Sequence, residues 1–404
     1  MPWGVIDDQS VAEARNLIGV ELTNSRTGWN TEASADNIRQ YVWGVGDENP
    51  LYLDDDYGRA SIWGTRLAPG SFLHSIRSTV VAPKLPGVQW IFAGVGWTFF
   101  RPLVLGDRFT TRARLVDVQE KSGRMADRWI LQTGQIDYLD ADGELVATAG
   151  SSIARTPRGE ALVAAGSKRS GAAPVTEYSP QELDFIADSM LAEIARGGTP
   201  LWFEDVTVGQ ELPTMLRGPL TQTDLIAWYC GTMGQEIYGG PLKRGLRYRA
   251  AHPDYLTDEV TGQKLSAGRG HVEPAAGVAV GMGGGYDLGP MRLNWIEQSV
   301  TNWMGDAGFI HQLDITLRRP NNLGQTSRID VEVVSKSEVG DYGIVELAAR
   351  VQNWEHQLTA RGRAAVVLPL RASGQQGART PVCAATAALV RQAGTQPARD
   401  AGQP

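Results

Sequence analysis

Hydrophobic positions along this chain follow one order of patterns, and they follow it twice. Each half begins with a helical stretch: Ile38, Tyr41 and Val42 recur on one face behind the natural N-cap Ser34, and Thr221 caps the corresponding stretch of the second half. An irregular polar segment comes next. A longer apolar run opened by glycine then predicts a buried helix over Gly70–Val81 in the first half and Gly289–Met304 in the second. After it the pattern turns to strands. The first set is predicted at Trp90–Trp97, Arg108–Val118, Arg128–Leu139 and Leu145–Arg155, the second at Gln312–Arg318, Ser327–Val339, Gly343–Asn353 and Gln357–Val367. Asp140-Ala141-Asp142-Gly143 reads as a hairpin turn. One long helix wrapped by an antiparallel sheet, twice over, is an α+β architecture.

The two halves also share landmarks at a constant spacing. Tyr52 precedes Gly70 by the same interval as His271 precedes Gly289, an offset of 219 between copies, and Phe100-Arg101-Pro102 matches Arg318-Arg319-Pro320 at 218. A duplicated unit is the economical explanation. Upstream, the Ser34–Gly44 stretch resembles Thr221–Gly231 at an offset of 187, so the second copy holds 32 extra residues between Tyr238 and His271. Long irregular insertions of this kind are commonly functional. The expected organisation is a first unit over 1–156, a Gly/Ala/Ser/Lys-rich linker over 157–178, a second unit over 179–370 with its insertion near 239–270, and a disordered tail over 371–404. Ser179-Pro180-Gln181-Glu182 is a capping box with proline at the first helical position, and it opens the second unit.

Composition narrows the function. The 404 residues suit two ordinary domains, and a net charge of -7 gives no footprint for nucleic acid or an anionic membrane. No run is long enough to span a bilayer, and Met1-Pro2-Trp3-Gly4 opens no signal peptide. Cys230 and Cys383 make neither a disulfide framework nor a metal cluster, and the five histidines lack ligand spacing, so a cytoplasmic protein without zinc is expected.

Gly46-Asp47-Glu48-Asn49-Pro50, the following Asp54 and Tyr57, and Ala68-Pro69-Gly70-Ser71-Phe72 resemble the MaoC-like family of hotdog-fold (R)-specific enoyl-thioester hydratases and dehydratases. The family motif runs Gly-Asp-x-Asn-Pro-x-His-x-Asp, with the Asp and His as the catalytic pair. The resemblance reaches to about Leu370 and implies a tandem, or double, hotdog: a dehydratase-like first half and a hydratase-like second half, each with a sheet wrapping a central helix. It also implies an acyl-CoA or acyl-carrier-protein thioester as substrate. Both halves depart from the motif. Asp47 and Asn49 match in the first, but Tyr52 holds the histidine position, and a phenol with a pKa of about 10 is no base near neutrality. In the second, His271 falls on the histidine position and Glu273 on the acidic one after it. The Asp position falls on Gly234, beside Gln235 and Glu236, or on Ser266, depending on the offset used.

Adding water across an enoyl thioester needs a group that moves a proton near neutrality, and fixed donors for charge growing on the thioester oxygen. His271 suits the first task, with Glu236, Glu273, Asp287 or Asp306 as the carboxylate that orients it. The first-turn N–H groups at Gly289, and at Gly70 in the other half, suit the second. Lys243, Arg244, Arg247 and Arg249 are candidate contacts for a CoA or carrier phosphate, with a plain solvated loop as the alternative. His271 also reads as an ordinary loop histidine, and Asp47-Glu48-Asn49-Pro50 as turn chemistry. The expected activity is that of a hydro-lyase needing no metal, nucleotide or flavin. A non-catalytic acyl-thioester-binding hotdog is one alternative, and an isomerase, cyclase or lyase on the same fold is another. A fused pair completes one hotdog dimer, and association of two such units as a homodimer stays open.

Overall fold

The structure is a computed structural model that describes residues 4–22, 28–123, 125–157, 171–232, 243–252, 257–258, 260–266 and 268–373, with Arg244 and Tyr248 in backbone only. Eleven strands are found among these residues. In chain order they are β1 (Leu67–Ala68), β2 (Gln89–Phe99), β3 (Leu103–Val104), β4 (Thr110–Gly123), β5 (Ala126–Leu139), β6 (Leu145–Thr156), β7 (Met215–Arg217), β8 (Phe309–Leu317), β9 (Ser327–Val339), β10 (Tyr342–Gln352) and β11 (Leu358–Pro369). The eight long strands match the eight predicted segments to within a few residues.

The strands show the duplication directly. Nine of them form one antiparallel sheet in the order β4-β5-β6-β2-β8-β11-β10-β9-β7. Taking β2 as equivalent to β8, β6 to β11, β5 to β10 and β4 to β9, the order reads the same from either end up to β7. The two halves meet where β2 pairs with β8, from Gly94↔Thr316 to Thr98↔Gln312. This is a double hotdog, with the two expected sheets joined edge to edge into one.

The central helix, Gly289–Met304, is buried at fifteen of its sixteen positions. It lies so close to β11 that a Cβ on Gly362 would stand 2.7 Å from Ile296 Cδ1. The hydrophobic core runs through both halves without a break, from Ile38, Phe72 and Trp97 to Ile296, Val300 and Val345. Packing on that scale is the main stabilising term available to the fold. The two repeat-related helices Ala35–Gly44 and Gln222–Thr232 cross at their glycines, and a Cβ on Gly44 would lie 2.8 Å from the Cα of Gly231.

One predicted element is shorter than expected. The first-half helix over Gly70–Val81 is only a 3-10 turn at Gly70–Phe72 running into Leu73–Ile76, and Arg77 is already extended at φ -152, ψ 127. The residues beyond it, Ser78-Thr79-Val80-Val81-Ala82-Pro83, are rich in β-branched side chains and end in proline, both of which disfavour a helix. The capping box at Ser179 forms as expected and opens a helix over Pro180–Leu191. The linker residues 158–170, Glu236 and the tail beyond 373 lie outside the described residues.

Candidate active site

His271 sits on a short helix, Arg269–Val272, that packs against the segment leading into the central helix. Two hydrogen bonds tie them: the Tyr286 N–H donates to the His271 carbonyl at 3.1 Å, and His271 Nδ1 lies 2.9 Å from the Tyr286 carbonyl. A carbonyl can only accept, so Nδ1 carries the ring proton. The ring lies 4.1 Å from that of Tyr286 and 6.4 Å from that of Tyr229, centroid to centroid. Burial pushes the imidazole down to about 4, against the pull of the Tyr286 and Asp287 carbonyls. It is therefore neutral at pH 7, the form a general base needs.

The central helix opens three residues after Tyr286. Pro290 has no N–H, and the Met291 N–H closes onto the Leu288 carbonyl at 2.9 Å, which leaves the Gly289 N–H as the terminal donor. The missing side chain at Gly289 matters sterically. A Cβ there would stand 2.5 Å from Leu317 Cδ1 and 2.7 Å from Phe92 Cδ1. Phe92 belongs to β2, so the first half supplies part of the wall around the second half's helix start.

The same positions in the first half are occupied from within. The Asp47 carboxylate accepts from the Asn49 N–H at 2.9 Å, and Asn49 caps the next helix by accepting from Leu51 N–H at 3.0 Å. Both side chains are buried and perform turn chemistry. Burial raises the Asp47 pKa above the usual carboxylate range. Tyr52 is buried with its hydroxyl on Thr301, and burial lifts the phenol well above its ordinary value, so it stays protonated. Gly70 packs against the Phe99 ring. The donors just after it are taken: the Ser71 N–H donates to Glu297 Oε1 at 3.0 Å, and the Ser71 hydroxyl donates to Glu297 Oε2.

Other expected residues are placed elsewhere. Glu273 is exposed and forms a 3.1 Å ion pair with Arg269, one helical turn back, so its carboxylate is directed to that half-buried guanidinium. Asp287, expected to contact substrate or orient the histidine, instead neutralises Arg292 inside the fold. Arg292 Nε lies 2.7 Å from Oδ2 and Nη2 donates to Oδ1 at 3.1 Å, with both side chains almost wholly buried. Asp306 accepts from the Tyr57 hydroxyl at 2.7 Å beyond the far end of the central helix, about 24 Å of helix rise from Gly289, too far to orient His271. Arg247 and Arg249 lie on the Lys243–Ala250 helix, where a spacing of two puts them on opposite faces; Arg247 is exposed and Arg249 half-buried. They cannot grip one phosphate together. Gly289 and His271 are thus drawn into one corner, while Asp47, Asn49 and Tyr52 form a separate, filled one.

Sequence reasoning missed Phe92, Tyr286, Arg292 and Glu297. A signal for two of them existed: Arg292 and Glu297 are the two charged residues of the central helix, and such residues are rarely buried without partners. Among the described residues, no three His, Cys, Asp or Glu side chains are grouped to hold a metal ion, and no helix is long and apolar enough to cross a membrane.

Residues 16–149 match the family model described as FAS1-like, dehydratase domain region. The chain is 24% identical over 97 residues to a 3-hydroxybutyryl-CoA dehydratase of Methylorubrum extorquens, covering 24% of this chain and 62% of that protein. It is 31% identical over 64 residues to an (R)-specific enoyl-CoA hydratase of Rhodospirillum rubrum, covering 16% of this chain and 44% of that one. The alignments thus span less than two thirds of either relative. A solved structure named MaoC-like dehydratase superposes with a TM-score of 0.58 at 17% identity, covering 88% of this chain and 99% of its own, which is agreement in fold.

Proposed function

We propose that this chain, which belongs to the MaoC-like hotdog family, is an acyl-thioester hydratase/dehydratase with one working site, in its second half. The observation that carries this reading is the His271 ring, held with Nδ1 on the Tyr286 carbonyl three residues before the glycine that opens the central helix.

In the hydration direction, His271 Nε2 accepts a proton from water as the water oxygen bonds to the β-carbon. The Cα=Cβ electron pair moves toward the carbonyl, and the growing charge on the thioester oxygen is met by the Gly289 N–H. The imidazolium then returns a proton to the α-carbon, so both hydrogens of the water end on the product and the ring is neutral again. Removal of water runs the same steps backward. General acid–base catalysis contributes typically about 10²–10⁴-fold, and one oxyanion donor about 10²–10³-fold. The first half, residues 1–156, serves as scaffold and wall through Phe92; the linker spans 157–178 and the chemistry lies in 179–370. Acyl-CoA or an acyl carrier protein would present the thioester, with outward-facing Arg247 available to its phosphate, and the cytoplasm is the compartment this implies.

Product mass provides the test. Incubation with crotonyl-CoA and with 3-hydroxybutyryl-CoA should shift each by the mass of one water, in opposite senses. Binding without any mass change would favour an acyl-thioester-binding role, and a rearranged product of unchanged mass would favour an isomerase.

A further inference from the structure

The family motif pairs its histidine with an aspartate, but here a main-chain carbonyl holds the His271 ring. That carbonyl belongs to the peptide unit between Tyr286 and Asp287, whose own N–H donates to the Asn321 carbonyl at 2.8 Å. The two ends of one planar group are therefore fixed in opposite directions. Asp287 anchors the unit again through its side chain, accepting from the Asn321 N–H at 3.2 Å and from Arg292. Arg292 in turn donates to the carbonyls of Arg319, at 2.8 Å, and Thr359, at 2.9 Å, which tie it to the turn after β8 and to β11.

A guanidinium buried this deeply is costly unless its charge is paired and its N–H groups are hydrogen-bonded, as those of Arg292 are to Asp287, Arg319 and Thr359. Four residues separate Asp287 from Arg292, so the pair clamps the segment entering the helix against the helix's own first turns. The segment after β8 holds the same stretch through Asn321 and the Tyr286–Asn322 bridge, and Arg292 adds the tie to β11 through Thr359.

We propose that Arg292 is a positioning residue for His271: through Asp287 it fixes the plane of the Tyr286–Asp287 peptide, and that peptide keeps the ring in the Nδ1–H tautomer with Nε2 facing the reaction. The proposal rests on His271 being the acid–base group. It explains how the second half works with its motif aspartate position unfilled. A neutral carbonyl orients the ring without adding a negative charge beside the developing thioester oxyanion.

The test uses the full chain labelled with ¹⁵N-histidine. Removing only one charge would leave the other buried alone, so the informative variant is the double substitution Asp287→Asn with Arg292→Gln; Arg292→Lys keeps the charge and loses the fork. The wild type should show His271 as one neutral tautomer, protonated at Nδ1. The double variant should show a mixture of both tautomers, with kcat on crotonyl-CoA down by about 10²-fold and KM nearly unchanged. Arg292→Lys should lie between, and it carries the test should the double variant not fold. A single Nδ1–H tautomer with unaltered kcat in either folded variant overturns the positioning role and leaves the proposed activity standing. The tautomer reading needs no turnover, so an inactive wild type would count against the activity alone.

Discussion

Glu297, from the second half's central helix, accepts hydrogen bonds from both the main-chain N–H and the hydroxyl of Ser71 in the first half. Ser71 Oγ also accepts from Asn294 Nδ2 at 2.9 Å, and Asn294 Oδ1 accepts from Trp228 Nε1 at 2.9 Å. A buried polar chain thus joins the halves at the place where the first half would otherwise present helix-start donors to a ligand. Together with Tyr52 in place of histidine, this supports the proposal of one working site, in the second half.

Burial lifts the Glu297 carboxyl from 4.5 to about 7. Its pKa is higher folded than unfolded, so its contribution is most favourable below pH 4.5 and is lost as pH rises to 7, a change of up to about 3 kcal/mol. Glu297→Gln imitates the protonated form and removes that slope. Urea titrations should find the variant more stable than wild type at pH 8 and nearly equal at pH 4.5, with the difference growing between.

His74 works in the opposite sense. It is buried beside Trp228, and desolvation lowers its pKa from 6.5 to about 4. The unfolded chain takes up a proton near pH 6.5 while the folded one does not until about 4, so stability falls as pH drops through that window. His74→Leu should flatten the acid limb of stability. Because the Glu297 slope opposes it between 4.5 and 6.5, the informative quantity is the difference between variant and wild type at each pH.

Most of the sheet was legible because alternation and turn residues are local, and the duplication let each half check the other. Ser327–Val339 is observed with its predicted bounds. The first-half helix was misjudged because apolar content after Gly70 hid the β-branched run from Ser78 to Val81. The site was only half legible. The spacing from His271 to Gly289 identified that corner, but the partner of the ring is a main-chain carbonyl, which no side-chain pattern encodes. Asp287 looked like a substrate contact or the carboxylate orienting His271 because the residue five positions later, which neutralises it, lies across a helix start and outside any recognised motif.

Gly289→Ala should cost about 1–3 kcal/mol of stability, since the new methyl meets Leu317 and Phe92 well inside contact distance. Phe92→Ala opens the same space from the other side. It should raise kcat/KM for enoyl thioesters branched or bulky near the carbonyl relative to crotonyl-CoA, as measured by direct competition between two substrates.

Tyr52→Phe deletes the hydroxyl that meets Thr301 and keeps the ring in the first-half turn. A loss of about 1 kcal/mol in thermal or urea stability is expected from one buried hydrogen bond. Turnover should stay within about twofold of wild type, since 1 kcal/mol spent in folding changes no reacting group.

The steady-state rate of crotonyl-CoA hydration by His271→Ala, measured beside wild type on protein with matched circular dichroism, is the most direct measurement. If one imidazole moves the proton, the rate should drop by about 10²–10⁴-fold with folding preserved. A variant as fast as wild type would contradict the assignment of catalysis to His271.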